Sequence, residues 1–469
     1  MKLLFRKKTL ESILEGAKKN TLKKTLGVFD LVFIGIGSII GTGIFVLTGQ
    51  AAAEHAGPAI ALSFLFSAII CVFAGLAYAE LASMVPVSGS AYTYTYAVMG
   101  EFIAWLVACG LILEYTVASS TVAAGWSGYL VGILQQGGII IPEFLTKAPS
   151  QLCADGTYCA IINLPAAFVS CFIGLLLFIG TKESVMVNRI LVSVKLAVIF
   201  IFILVAVPHI KFENYQEFMP YGWKGVFAGS AAIFFAYLGF DAVATTAEEC
   251  KNPKRDLPIG IIGSLLICAV IYVVVSLCLT GIVNYKSLGN PQPLAQALRD
   301  NGSNIGSALV GTGAIAGMLT VLLVMMYGQS RIFFVISRDG LLPKFFSKIH
   351  KKHQTPSYSI LVVTIAVAII SGFTPIRTMG DMSSLGTLFA FCLVSLGVLI
   401  LRYKRPKLER SFKCPFVEII APLAIVGCGF LILKLLQDHY KPFLIWFVIG
   451  IIFYFSYGYK KSALAKKTK

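Results

Sequence analysis

Gly35-Ile-Gly-Ser-Ile-Ile-Gly-Thr-Gly-Ile-Phe-Val-Leu-Thr-Gly49 lies inside the first long apolar run of the chain. A helix built only to cross a membrane would not carry glycine at 35, 37, 41, 43 and 49. Each glycine weakens a helix by about 1 kcal/mol relative to alanine, and in lipid any freed backbone group must find another partner. Gly41-Thr42-Gly43 therefore reads as a break in the helix at mid-membrane depth. Such a break exposes amide N–H groups at the start of one half-helix and carbonyls at the end of the other. The N–H end attracts a carboxylate and the carbonyl end an ammonium, so the matching ligand is an amino acid. Gly37 and Gly41 have a second reading, as a Gly-xxx-Gly face for close helix packing.

The rest of the chain fits a membrane setting. It has 469 residues, of which 57% are hydrophobic and only 13% charged, against about 25% charged in soluble proteins. The mean hydropathy is +0.83. A net charge of +17 raises the question of nucleic acid, but the positive residues sit in short loops between apolar runs, which excludes it. Residues 1–24 lack an apolar core of the length a cleavable signal needs. Leu10, Ile13, Leu14 and Leu22 among lysines suggest instead an amphipathic segment lying on the membrane surface, the one candidate surface for an accessory subunit. Neither HExxH nor CxxC spacing occurs, so no metal site is expected, and no nucleophile–base constellation suggests an enzyme.

Spans of about 20 residues fall near 28–50, 59–83, 100–130, 163–180, 186–208, 225–247, 258–283, 307–334, 357–374, 383–402, 416–436 and 441–459. With the N-terminus inside, thirty of the 39 lysines and arginines lie on the inner side, a strong positive-inside bias. Twelve spans then place both termini in the cytoplasm. Cys153-Ala-Asp-Gly-Thr-Tyr-Cys159 falls in an outer loop, where the two cysteines are either a disulfide or a pair of free thiols. The remaining cysteines mostly read as small core residues.

The sixth apolar run repeats the anomaly of the first. In Ile233-Phe-Phe-Ala-Tyr-Leu-Gly-Phe-Asp241, Gly239 and Asp241 spoil a plain spanning helix. Two breaks five spans apart are the pattern of an inverted repeat with a ligand site between its halves. Ionisable residues at depth are functional candidates by default. Lys195, well inside span five, needs oxygen partners or must lose its proton. The carbonyls freed in span one would serve, and a lysine that deprotonates would couple transport to protons. Its alternative is snorkelling to the inner interface, two turns away at Arg189. Glu114, deep in span three, would pair with a lysine, hold a proton or face a cationic substrate; otherwise it is a structural carboxyl. Glu80 is expected near the inner interface. Glu248 and Glu249, beside Lys251, Lys254 and Arg255, form either an inner charge network or a solvated loop.

At this point the chain resembles the amino acid-polyamine-organocation superfamily, most closely a bacterial homologue of its cationic amino acid transporter branch. The resemblance rests on five motifs in order: the glycine stretch at 35–45, Pro86-Val-Ser-Gly-Ser-Ala-Tyr92, Phe234-Phe-Ala-Tyr-Leu-Gly-Phe-Asp241, Glu248-Glu-x-x-Asn-Pro-x-Arg-Asp-Leu-Pro258, and Ser337-Arg-Asp-Gly-Leu-Leu-Pro343. It implies an all-α LeuT-type fold of twelve helices in a bacterial inner membrane, with spans 1 and 6 broken. Its parts would be a cytoplasmic segment 1–27, a first repeat 28–208, an inverted second repeat 225–402, spans 11 and 12 at 416–459, and a tail 460–469. It further implies that amides of Ile39, Gly41, Thr42 and Gly43 bind a substrate carboxylate. Carbonyls of Phe235, Ala236 and Leu238 would hold its ammonium, and Phe235 would act as a gate. The resemblance places Lys195 where sodium-coupled relatives hold sodium and links it to proton coupling, so no sodium site is expected.

Met325 stands in span eight where relatives that carry arginine or lysine tend to have a small residue. A methionine there shortens the pocket, or is an ordinary packing residue. The resulting expectation is proton-coupled symport of small neutral L-amino acids such as alanine. The alternatives are a cationic amino acid carrier and an exchanger without proton coupling. A receptor is disfavoured by the lack of a long soluble domain, and a channel by the lack of a filter motif.

Overall fold

The computed structural model describes residues 6–8, 26–85, 90–151, 153, 156–179, 185–350 and 355–467. The amphipathic residues Leu10, Ile13, Leu14 and Leu22, Pro86–Gly89 of the second motif and the Glu248 side chain lie outside that description. Among the described residues the protein is helical, with a single parallel bridge between Leu26 and Cys250.

The first apolar run forms α1 (Val28–Ile39) and α2 (43–56), with extended backbone at Ile40 (φ −74°, ψ 104°) between them. α3 (Ile60–Met84), α4 (Ser90–Val98), α5 (Glu101–Gln136), α6 (Leu164–Ile179) and α7 (Val185–Ala206) follow. α8 (Gly222–Ile233) ends in a tight turn, Phe234–Tyr237, before the short α9 (Ala242–Thr245). α10 (Pro253–Ile282), α11 (Pro293–Asp300), α12 (Asn304–Arg338), α13 (Ser357–Phe373), α14 (Ile376–Lys404) and α15 (Val417–Phe453) complete the chain. Helix occupies all twelve stretches read from the sequence. Among the described residues, eight helical runs are long and apolar enough to cross a membrane, and Val28–Ile39, Leu164–Ile179 and Ser357–Phe373 are shorter apolar helices. The protein is a polytopic membrane protein.

One boundary differs from the sequence reading. α14 begins at Ile376 rather than near 383, because Arg377 and Asp381 break the apolar signal of its first turns. Stretches eleven and twelve are two helices that meet at a kink, in the gap read between them. Pro442 has no N–H to give the carbonyl of Asp438, and the kink falls next to it at His439 (φ −123°, ψ 18°).

The helices pack in a pattern that survives exchange of the first five stretches for the second five. α3 packs on α10, α5 on α12 and α6 on α13, each pair mapping to itself. α1 on α10 is matched by α8 on α3, and α12 on α7 by α5 on α14. Cys153 and Cys159 are joined in a disulfide, with Cα atoms 5.9 Å apart. Seven of the nine other cysteines are buried.

At the end carrying the basic loops, Glu80 is buried at the close of α3. It binds Arg402 at 2.8 Å, Arg410 at 3.1 Å and the Cys414 amide at 2.8 Å. Arg410, 2% exposed in its side chain, also donates to the carbonyls of Leu401, Arg405, Pro406 and Leu408. Glu80 thus holds the loop after α14 onto α3. Of the two readings for Glu248 and Glu249, the inner charge network finds no ion pair for Glu249 among the described residues, and the Glu248 side chain lies outside them. That loop is held by backbone instead, Leu26 donating to Glu249 and Lys251 to Leu26. Residues near both termini meet at this same end: Lys8 pairs with Asp339 at 2.5 Å, and the Ala463 amide donates to the Asp339 carbonyl.

Removing one partner of a buried ion pair costs about 3–5 kcal/mol. Glu80→Ala is therefore expected to lower the thermal midpoint in detergent well below that of Glu80→Gln, which keeps hydrogen-bond acceptance. Equal midpoints for Glu80→Ala and the native protein would show that the network does not hold this end together.

Candidate functional site

The backbone bonds that a continuous helix would have made define the site. In an unbroken helix the Gly37 carbonyl would accept from Gly41 and the Ile39 carbonyl from Gly43. The break removes both donors, and buried carbonyls need replacements. Lys195 Nζ donates to the Gly37 carbonyl at 2.8 Å and reaches that of Ile40 at 3.4 Å. The Tyr272 hydroxyl of α10 lies 3.0 Å from the Ile39 carbonyl and 2.9 Å from that of Ala236, sharing its one proton between the two breaks. Lys195 is 1% exposed, so the interfacial alternative does not hold: its stem packs on Gly317 of α12 and its head on the break.

The two breaks touch. A Cβ on Gly43 would stand 2.4 Å from Ala236 Cα, and one on Gly239 would stand 2.8 Å from the Ser38 carbonyl oxygen. Gly239 also has φ +108°, a conformation open to glycine and costly for side-chain residues. Gly35 and Gly49 serve packing, against Ser264 and Pro293, while Gly41 and Gly43 belong to the break. Of the Gly37/Gly41 pair, Gly37 gives its carbonyl to Lys195 and Gly41 lies against Val321 of α12.

Ile39, Gly41, Thr42, Gly43, Phe235, Ala236 and Leu238 are brought together here, all buried. The first amides of a helix lack intrahelical acceptors; in α2 the Phe45 amide, third in line, already donates to the Gly41 carbonyl at 3.3 Å. The Thr42 hydroxyl is fully buried and has no hydrogen-bond partner in the protein. On the other side, the Phe235 carbonyl accepts from Leu238 at 3.1 Å and that of Ala236 from Tyr272, each keeping one lone pair. The tight turn is fixed by the Tyr237 hydroxyl on the Phe64 carbonyl at 3.0 Å. α12 closes a third side. Val321 meets Gly41, and Met325 follows one turn later on the same face, 3% exposed.

Glu114 is placed elsewhere. Its contacts run to α14, where Ser383 donates to its carbonyl at 3.1 Å, and one carboxylate oxygen is buried without a hydrogen bond. Beside it, the Tyr115 hydroxyl binds Asp241 at 2.8 Å, leaving the other Asp241 oxygen unpartnered as well. At the disulfide end, Arg377 binds Glu54 at 2.5 Å and Asp381 binds His439 at 3.0 Å, beside a cavity of about 20 Å³ lined in part by Leu47, Gln50 and Ala232.

Tyr272, the Glu54–Arg377 pair and the Glu114–Asp241 neighbourhood were not identified from the sequence as parts of one arrangement. A tyrosine within the apolar α10 was the available signal, since a buried hydroxyl must find a partner.

Two interrupted helices meeting at a buried junction of freed amides and carbonyls, in a polytopic membrane protein, define a transport protein of the permease class. The match to known proteins gives the family: residues 26–455 fit the amino acid permease model, and the chain belongs to that family, within the amino acid-polyamine-organocation superfamily. It is 46% identical to a branched-chain amino acid permease of Bacillus subtilis over 98% of this chain and 99% of that one. It is 41% identical to a methylthioribose transporter of the same organism over 99% and 100%. A vacuolar cationic amino acid transporter of Arabidopsis thaliana is 38% identical over 87% of this chain and 68% of its own.

Gly43→Ala places a methyl group into the Ala236 backbone, an overpacking cost of about 1–3 kcal/mol. The variant is expected to lose transport while Gly429→Ala, which meets nothing within 4 Å, keeps it. Uptake by Gly43→Ala at the native rate would separate the junction from function.

Proposed function

We propose that this protein is a secondary transporter that carries neutral L-amino acids into the cell with protons. The observation that carries the reading is the junction itself, with freed amides of α2 on one side and carbonyls of the Phe234–Tyr237 turn on the other. A zwitterion bridges such a pair of half-helices, its carboxylate at Ile39, Gly41, Thr42 and Gly43 and its ammonium at Phe235, Ala236 and Leu238. Phe235 closes over it. Occupancy favours the occluded arrangement by the difference in affinity between states and no more.

The swap-symmetric packing supports reading 28–208 and 225–402 as inverted repeats of a LeuT-type fold, with 416–459 as two added spans. The clustering of basic residues supports placing both termini in the cytoplasm of a bacterium. Protonated Lys195 holds α7 to α1, and loss of its proton loosens that tie. It already occupies carbonyls that a sodium ion would need. Glu114, with Asp241 near it, is the second proposed proton holder; their unpartnered oxygens support that role.

The sequence reading favoured alanine and other small substrates through Met325. The branched-chain relative extends the proposal to valine, leucine and isoleucine, which keep the neutral side chain that Met325 selects. The methylthioribose relative supports a second reading, a neutral substrate without the zwitterion.

Uptake of labelled alanine, leucine, arginine and methylthioribose into proteoliposomes, with and without an inward proton gradient, tests both. Gradient-dependent uptake of alanine or leucine, lost in Lys195→Ala, is the expected result. Uptake of methylthioribose alone would overturn the zwitterion reading. Uptake only against preloaded amino acid would make the protein an exchanger and remove the proton role of Lys195. Met325→Ser is expected to admit arginine; a variant that still excludes it would show that Met325 does not set selectivity.

A further inference from the structure

A groove with a volume near 550 Å³ runs along α10 on the outside of the bundle, at the end that carries the basic loops. Lys254 and Arg255 stand at its head, and both are exposed. Neither has an ion-pair partner among the described residues. Three other cations at this end are engaged, Arg402 and Arg410 by Glu80 and Arg189 by Asp30. Below the two cations the floor is apolar. Ile259, Ile262 and Leu266 follow Arg255 at helical spacing, and Ile259 and Leu266 are 40% and 51% exposed. From Arg255 to Leu266 the floor extends about 16 Å at 1.5 Å per residue.

The groove has a fixed wall. Ser411 and Phe412 line its far side. They follow Arg410, whose contacts with Glu80 and four carbonyls pin the loop, and the Phe412 amide donates to Ser83 at 3.3 Å. Two details of the floor are unexplained by packing within the protein. A Cβ on Gly263 would meet only Val32, at an ordinary 3.5 Å. The protein therefore does not need glycine there for its own packing, and the missing side chain keeps the groove open. Pro258 has no N–H, so the Lys254 carbonyl lacks its donor four residues on and is left as an acceptor at the groove's head.

We infer that this groove seats an anionic glycerophospholipid, its phosphate on Lys254 and Arg255 and one acyl chain along Ile259, Ile262 and Leu266. The Lys254 carbonyl accepts from a headgroup hydroxyl, which selects a glycerol headgroup over choline. Basic grooves between helices on the cytoplasmic side favour anionic headgroups, each cation contributing about 1 kcal/mol. This places a bound lipid on the helix that also supplies Tyr272 to the two breaks.

The test is native mass spectrometry of the full chain, released from micelles after equilibration with equal phosphatidylglycerol and phosphatidylcholine. One phosphatidylglycerol per chain should be retained in preference to phosphatidylcholine, and excess inorganic phosphate should not displace it. Lys254→Gln/Arg255→Gln should weaken retention roughly 30-fold, about fivefold per cation. Gly263→Leu keeps both cations and fills the floor, and should lose the lipid as well. Lys404→Gln/Arg405→Gln, an exposed pair at the same end, should retain it. Equal retention of both lipids, displacement by phosphate, or equal loss in the Lys404/Arg405 control would overturn the proposal. So would undiminished retention by Gly263→Leu. Unchanged gel-filtration profiles separate loss of lipid from loss of fold.

Discussion

A helix interrupted inside a membrane must satisfy its backbone without water, and that constraint organises this protein. Each unsatisfied group costs several kcal/mol in hydrocarbon. α1 ends at Ile39 with carbonyls that no following amide reaches, and the protein supplies a lysine for Gly37 and a tyrosine for Ile39. The same tyrosine serves Ala236 at the second break. The lysine is itself expensive to bury, and its partners are the carbonyls that the break set free. Charge and break therefore stabilise each other, and neither is tolerable alone. The requirement that both breaks fall at one place explains glycine at 43 and 239, where backbone meets backbone.

The sequence announced whatever violated the expected pattern of a spanning helix. Five glycines in one apolar run, an aspartate at 241 and a lysine at 195 are each costly in that setting, and all three led to the junction. Residues that fit the pattern carried no such signal. Tyr272 sits in α10 as an ordinary aromatic, and its link between the breaks depends on two backbone carbonyls 233 and 36 positions away along the chain. The break at His439 falls in the gap read between spans eleven and twelve, and Pro442 supplies its physical cause. The Glu80 network was hidden for a related reason. A glutamate at a span end looks interfacial until a loop more than 300 residues later folds over it.

Substrate choice was least legible because it rests on small differences among apolar side chains. In the proposed binding mode the freed amides and carbonyls of the two breaks fix where a zwitterion's ends go. Side-chain selectivity would then fall to the face of α12 with Val321 and Met325, where one methylene changes affinity by only about 1–3 kcal/mol. Relatives sharing this scaffold at 38–46% identity carry names that span branched-chain amino acids, methylthioribose and cationic amino acids. Identity of the scaffold and identity of the cargo are therefore separable properties in this family, and only the first is written in its glycines.

The contacts at the two ends of the junction differ in kind. At the basic end Glu80 is fully buried, with two guanidinium partners and a backbone amide, and breaking such a group leaves a charge without water. At the disulfide end Glu54 and Arg377 are 43% and 47% exposed in their side chains. An exposed pair contributes about 0–1 kcal/mol, because water replaces each partner as it leaves. If the protein works by the proposed alternating access, both ends open in turn, and the energetic cost of opening is set by what each end must desolvate or resolvate. Parting α2 from α14 returns two charges to solvent already present. Moving α3 away from the loop after α14 strands a carboxylate unless the loop travels with it. The buried network thus ties α3 and that loop into a single mechanical unit.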